Sequence, residues 1–127
     1  MNNDVKISKF NQIGEDERGI TAAFKLPRQQ ADFLFFTRKA DSLSGDTYHE
    51  GKNSGTNPKT FVLVSGKILL SHRKVGTSNK MSSEIIAPAL IEVAPYIVHN
   101  IVALEDSTFL ECNSAADLTN DKIKEEV

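Results

Sequence analysis

The sequence predicts an all-β protein, a sandwich or barrel of short strands. Three observations lead there. The apolar residues fall in brief bursts rich in β-branched and aromatic side chains, turn signals separate the bursts, and helical patterning is confined to the tail.

Taken in order, the first burst is Phe33-Leu34-Phe35-Phe36-Thr37, expected to fill the core or a dimer interface. Thr60-Phe61-Val62-Leu63-Val64 and Ile68-Leu69-Leu70 follow. Then come Glu84-Ile85-Ile86-Ala87, Leu90-Ile91-Glu92-Val93, the run from Ile97 to Leu104, and Thr108-Phe109-Leu110. The separators include Gly45-Asp46, Asn53-Ser54-Gly55, Asn57-Pro58, Gly76-Thr77-Ser78-Asn79, Pro88, Pro95 and Glu105-Asp106. Such residues favour turns because they tolerate positive φ, fix φ, or bond their own backbone. Gly66 interrupts an otherwise continuous strand pattern, so two strands are expected to meet in a bend at Ser65-Gly66.

The polar, glycine-rich segment from Asp41 to Pro58 reads as a long loop. His72 and Arg73 are expected at a strand end, facing solvent. Cys112 reads as a small core hydrophobe, since no basic neighbour would lower its pKa. From Asp117 to Val127 a short helix is expected, capped by Asp117 or Thr119. Glu125 and Glu126 oppose its dipole, so it should fray. Its thin apolar face, Leu118 and Ile123, is expected to lie on the outside of the barrel or on a partner subunit.

A chain of 127 residues fits one domain, residues 1–127, with room for a core and an internal cavity. Its net charge of −2 and the lack of a basic stripe argue against nucleic acid as a partner. A nucleotide phosphate pocket, which needs only one or two local cations, stays open. No apolar stretch approaches the ~20 residues that span a bilayer. Met1-Asn2-Asn3-Asp4 is polar where a signal peptide would be apolar. With Cys112 as the only cysteine, no intrachain disulfide forms. A cytoplasmic protein is therefore expected.

Three motifs narrow the fold. Gly45-Asp46-Thr47-Tyr48-His49 is followed by Lys59, six residues, and Gly66. This resembles the first cupin motif of a glycine, two alternate histidines, a glutamate, six residues and a glycine. Thr47 stands at the first histidine position and Lys59 at the glutamate position, while His49 matches. Pro95-Tyr96-Ile97-Val98-His99-Asn100 resembles the second cupin motif, a proline four residues before a histidine, with Tyr96 at the usual glycine. Asp16-Glu17-Arg18-Gly19 resembles the Asp-x-Arg-Gly element of dTDP-4-dehydrorhamnose 3,5-epimerases and dTDP-sugar ketoisomerases. The stretch Val93 to Ile101 is also similar to the cupin domain of capsule-synthesis reductases. The resemblance runs over about residues 14 to 114 and implies a double-stranded β-helix, the jelly-roll cupin barrel, with a short C-terminal helix.

It also implies a function: isomerisation or epimerisation of a keto-sugar nucleotide, such as a dTDP-sugar, for cell-surface polysaccharide synthesis. Removing a proton beside a ketone needs a base and a donor for the enolate oxygen. By resemblance His49 is the base and Lys59 the enolate stabiliser. Arg18 holds the diphosphate, in some relatives across a dimer interface, and a homodimer is expected. His99 shares the strand face of Ile97 and Ile101 and is expected to line the cavity beside His49. Tyr48 is taken as a substrate-binding residue. The sequence places neither the tyrosine acid of the epimerases nor the carboxylate that orients their histidine. No cofactor and no metal are expected: metal-binding cupins usually use three histidines and a glutamate, and Lys59 repels a cation. Glu111 and His72 are the remaining possible ligands. Two alternatives stay open, a non-catalytic cupin binding a small anionic sugar or metabolite, and a metal-dependent cupin.

Overall fold

The computed structural model describes residues 4–127. Its strands, in chain order, are β1 (Val5–Lys9), β2 (Asn11–Asp16), β3 (Gly19–Ala23), β4 (Leu34–Arg38), β5 (Leu43–Tyr48), β6 (Lys59–Ser65), β7 (Lys67–Lys74), β8 (Met81–Ile86), β9 (Ala89–Val93), β10 (Ile97–Ala103) and β11 (Ser107–Glu111). Helix α1 (Ala115–Asn120) and a two-residue strand β12 (Ile123–Lys124) complete the chain. Two five-stranded antiparallel sheets form, in the orders β1-β9-β6-β11-β4 and β12-β5-β10-β7-β8. β2 and β3 stand apart as a hairpin. The all-β expectation holds, with two open sheets facing each other across one core.

Alternation along the strands decides which side chains enter that core. In β6 and β11, Phe61, Leu63 and Phe109 point inward; opposite them lie Ile68, Leu70, Ile97 and Ile101 of β7 and β10. Full burial of each such side chain stabilises the fold by roughly 1.5–3 kcal/mol. Val62, Leu90 and Cys112 point to the other face of the first sheet and pack against Phe10 and Leu26. Cys112 is a buried core residue as expected, and burial pushes its thiol up to about 11 despite nearby Arg28.

The bend at Gly66 is observed between β6 and β7. Its φ is 100°, and an added Cβ would sit 2.6 Å from the Asp106 carbonyl oxygen. At the second motif Tyr96 adopts φ 63°, a left-handed conformation that glycine reaches without steric cost. That explains in physical terms why a glycine is usual there.

Five expectations are corrected. The segment 41–58 is not all loop, because β5 runs through it and pairs with β10 and β12. Pairing partners far along the chain satisfy its backbone and override its polar composition. The helix starts earlier than expected: the cap is Ser114, whose Oγ accepts from the Asp117 amide at 3.1 Å. It ends at Asp121, after which the chain returns as β12 against Tyr48 and Thr47. Leu118 lines an internal cavity rather than the outside. His72 is buried, since β7 is flanked by β10 and β8. The phenylalanine cluster divides: Phe36 stacks on Phe109 at 4.7 Å, while Phe33 and Phe35 are exposed.

Candidate functional site

A cavity of about 400 Å³ opens between the sheets, its wall drawn from β4, β5, β6, β10, β11 and the C-terminal segment. Lys59 enters it because it shares the inward parity of Phe61 and Leu63. Glu111 enters by the parity of Phe109 on the neighbouring strand. Lys59 Nζ lies 3.4 Å from Glu111 Oε1, both side chains nearly buried. Burial pushes the Lys59 ammonium below its ordinary range, and the Glu111 carboxylate acts against that. Glu111 Oε2 has no hydrogen-bond partner among the described residues.

His99 also lines the cavity, and its Nδ1 donates to the Ile97 carbonyl at 3.0 Å. The free ring nitrogen is then Nε2. Burial, with Lys59 close by, takes His99 down to about 3, so its imidazole stays neutral.

His49 is 5.6 Å from His99, ring centre to ring centre, one layer behind the cavity lining. Its Nδ1 hydrogen-bonds the main-chain oxygen of Asp121. A carbonyl only accepts, so Nδ1 carries the proton and Nε2 keeps a lone pair. That Nε2 is buried and has no partner among the described residues. Burial first, then the charge of Lys59, lowers the His49 pKa.

Asp121 anchors this arrangement. Its carboxylate accepts from the amides of Glu50, Gly51 and Lys52 at 2.8–2.9 Å and from the Thr56 hydroxyl at 2.6 Å. Burial alone would raise its pKa, but these four donors outweigh it and hold the group at about 2. The carboxylate thus pins the loop after β5 to the C-terminal segment, and the carbonyl of the same residue orients His49. The histidine-orienting role therefore falls to a carbonyl.

The structure brings Lys59 and His99 together at the cavity, with His49 against them. It does not bring Tyr48 or Arg18 there within one chain. Tyr48 alternates with Thr47 to the opposite face of β5, 6.1 Å from Tyr96 ring to ring. Arg18 is at the β2–β3 turn, its side chain 85% exposed and paired with Asp16 at 2.7 Å. The residues that sequence reasoning missed are Asp121 and the Glu111–Lys59 pair. Parity with Phe109 was the available signal for Glu111; Asp121 carries none. Among the described residues, no group of three or more His, Cys, Asp or Glu side chains is placed to hold a metal ion. None of the described helices is long and apolar enough to cross a membrane.

No protein-family model and no curated protein matches this chain. Solved structures do match in fold. A double mutant of the QdtA 3,4-ketoisomerase from Thermoanaerobacterium thermosaccharolyticum, in complex with TDP, superposes with a TM-score of 0.75 at 17% identity, covering 98% of this chain and 89% of that one. The epimerase RmlC from Legionella pneumophila, in complex with dTDP-4-keto-L-rhamnose, gives 0.68 at 12% identity over 96% and 72% of the two chains. The capsular polysaccharide assembling protein CapF from Staphylococcus aureus gives 0.64 at 22% identity, over 93% of this chain and 33% of that protein. These likenesses bear out the cupin architecture.

Proposed function

We propose that this chain is a sugar-nucleotide isomerase or epimerase acting on a keto-sugar nucleotide. The observation that carries this reading is the buried Lys59 ammonium in the cavity wall, beside a neutral histidine pair. The pair with Glu111 leaves the ammonium further protons to donate, and an enolate oxygen is the partner such a donor suits. Structures of two neighbours, QdtA with TDP or TDP-4-keto-6-deoxyglucose and RmlC with dTDP-4-keto-L-rhamnose, support the substrate class.

On this reading Lys59 donates to the ketone oxygen. His49 Nε2 takes the proton from the adjacent carbon, and the C–H electron pair becomes the enolate double bond. For isomerisation the proton passes from His49 to the former ketone carbon, while the hydroxyl on the deprotonated carbon gives its proton by way of Glu111 Oε2 to the old ketone oxygen and becomes the new ketone. For epimerisation water protonates the deprotonated carbon from the opposite face and His49 releases its proton to solvent. Glu111 Oε2 accepts from the hydroxyl next to the ketone. His99, neutral and on the wall, accepts from a second sugar hydroxyl. Ligand seating has to open the lining to His49. That requirement favours one second reading, a cupin that binds the same ligand class without turnover.

The protein works as a cytoplasmic homodimer on this account. The hairpin β2–β3 lies outside both sheets with Ile13 and Ile20 exposed, and β4 is a sheet edge whose Phe35 is 68% exposed. An exposed edge and an unpartnered hairpin fit strand exchange with a second copy. Arg18 and Tyr48 then act as ligand contacts at the shared interface. Light scattering that returns a monomer at working concentration counts against the shared interface.

The test of the function is thermal unfolding with dTDP, followed by turnover of dTDP-4-keto-6-deoxyglucose. A ligand at ~100 times its Kd adds about 2.7 kcal/mol when it binds only the folded state. Binding with a changed sugar supports catalysis, binding without change supports the second reading, and no binding sinks both.

A further inference from the structure

We propose that the mouth of the cavity, formed by Arg38, Lys122 and Lys124, is the chain's own seat for the diphosphate of its ligand. The inference rests on the sugar-nucleotide reading for its ligand class, and on charge and geometry for its place.

The charged groups lining the cavity are Arg38, Lys59, Lys122 and Lys124 against the single carboxylate Glu111. That surplus of cations occurs in a chain whose net charge is −2. Glu111 is committed to Lys59. Among the described residues, none of the three remaining cations forms an ion pair with a carboxylate. Arg38 and Lys124 are held by neutral acceptors. Arg38 is half-buried; its Nε donates to Ser44 Oγ at 2.6 Å and its Nη1 to the Thr37 carbonyl at 2.8 Å. Its guanidinium lies 4.4 Å from the centre of the Phe36 ring. Lys124 Nζ donates to the Gly45 carbonyl at 3.1 Å. Lys122 is near enough for its charge to depress the Lys59 pKa.

Like charges held together by neutral acceptors repel one another, and an anion relieves that repulsion. A planar guanidinium with two flexible ammoniums suits several oxygens spread over two phosphates, since Arg offers a fork and Lys a point charge. The C-terminal segment that supplies both lysines is the one Asp121 pins beside His49. Anion binding and the histidine wall therefore share one structural support.

The test is calorimetric titration of the full chain with dTDP and with pyrophosphate, on the wild type, on the double variant Lys122→Gln/Lys124→Gln, on Lys80→Gln as an exposed lysine outside the cavity, and on Arg18→Ala. Circular dichroism melts check that each variant is folded. Hydrogen bonds to charged groups at 1.5–3 kcal/mol translate to about tenfold or more in Kd. The proposal expects both probes to bind the wild type, more weakly as salt rises, with a loss of at least about tenfold in the double variant and none in Lys80→Gln. Unchanged affinity in the double variant overturns it; a loss confined to Arg18→Ala does the same while leaving the sugar-nucleotide reading in place. Lysine-dependent binding of pyrophosphate with no binding of dTDP sustains the anion seat and sinks the sugar-nucleotide reading. If neither probe binds the wild type, both fall.

Discussion

Lys59 of β6 and Glu111 of β11 meet at 3.4 Å inside the cavity wall, one ion pair between neighbouring strands. Removing one partner of such a pair strands a buried charge, which typically costs 3–5 kcal/mol, whereas replacing both with apolar groups is often neutral. Glu111→Gln is therefore expected to lower stability by about that amount. Lys59→Met/Glu111→Leu should restore most of it. Urea unfolding of the three proteins reads the difference; equal stability of Glu111→Gln and the wild type would count against a buried pair.

The same lysine sets a sign for the alkaline range. Its folded pKa lies below the ordinary 10.5, so the unfolded chain binds more protons between the two values. Stability from this group is therefore gained as pH rises through that window. The gain should steepen in Glu111→Gln, where the opposing carboxylate charge is gone. Melting temperature against pH for the two proteins gives the comparison.

Acid acts through His99 and Asp121. His99 at about 3 against an ordinary 6.5 stays neutral in the fold while the unfolded chain takes up a proton. Stability is thus lost as pH falls from about 6.5 toward about 3, and Asp121 extends the loss from 3.8 toward about 2. His99→Gln should flatten the upper part of this fall and leave the lower part. An unchanged profile in that variant means His99 titrates normally.

At the bend, Gly66→Ala should cost roughly 2 kcal/mol or more. The site combines positive φ with a Cβ that would press on the Asp106 carbonyl, and the backbone there cannot yield as a flexible side chain would. Denaturant melts measure it, and a loss under about 0.5 kcal/mol would show that the β6–β7 corner relaxes freely.

Much of this could be read in the chain before folding, and the residues show why. Lys59 takes its inward place from an alternation visible beside Phe61 and Leu63, and Gly66 announces its bend by interrupting a strand. His99 follows Ile97 and Ile101 onto the same face. β5 was hidden because Ser44, Gly45 and Asp46 read as turn residues, and only pairing with β10 makes them a strand. Asp121 was hidden more deeply. Its function depends on the C-terminal segment returning over the amides of Glu50, Gly51 and Lys52, a meeting about seventy residues apart in sequence that no local pattern encodes.

Activity should follow the wall. Lys59→Met removes the donor to the enolate and is expected to lower kcat about 10²–10³-fold. His49→Asn removes the base and is expected to lower it about 10²–10⁴-fold. Binding of dTDP should survive both changes. Turnover surviving in either variant would remove that residue from the mechanism.

The most direct test of proton abstraction beside a ketone is deuterium uptake. The protein is incubated in deuterated water with dTDP-4-keto-6-deoxyglucose, and the sugar is examined by mass spectrometry and proton NMR. The account predicts deuterium on a carbon adjacent to the ketone in the wild type and none above background in His49→Asn or Lys59→Met. Saturating ligand binding without deuterium in the wild type would contradict catalysis and leave a binding protein.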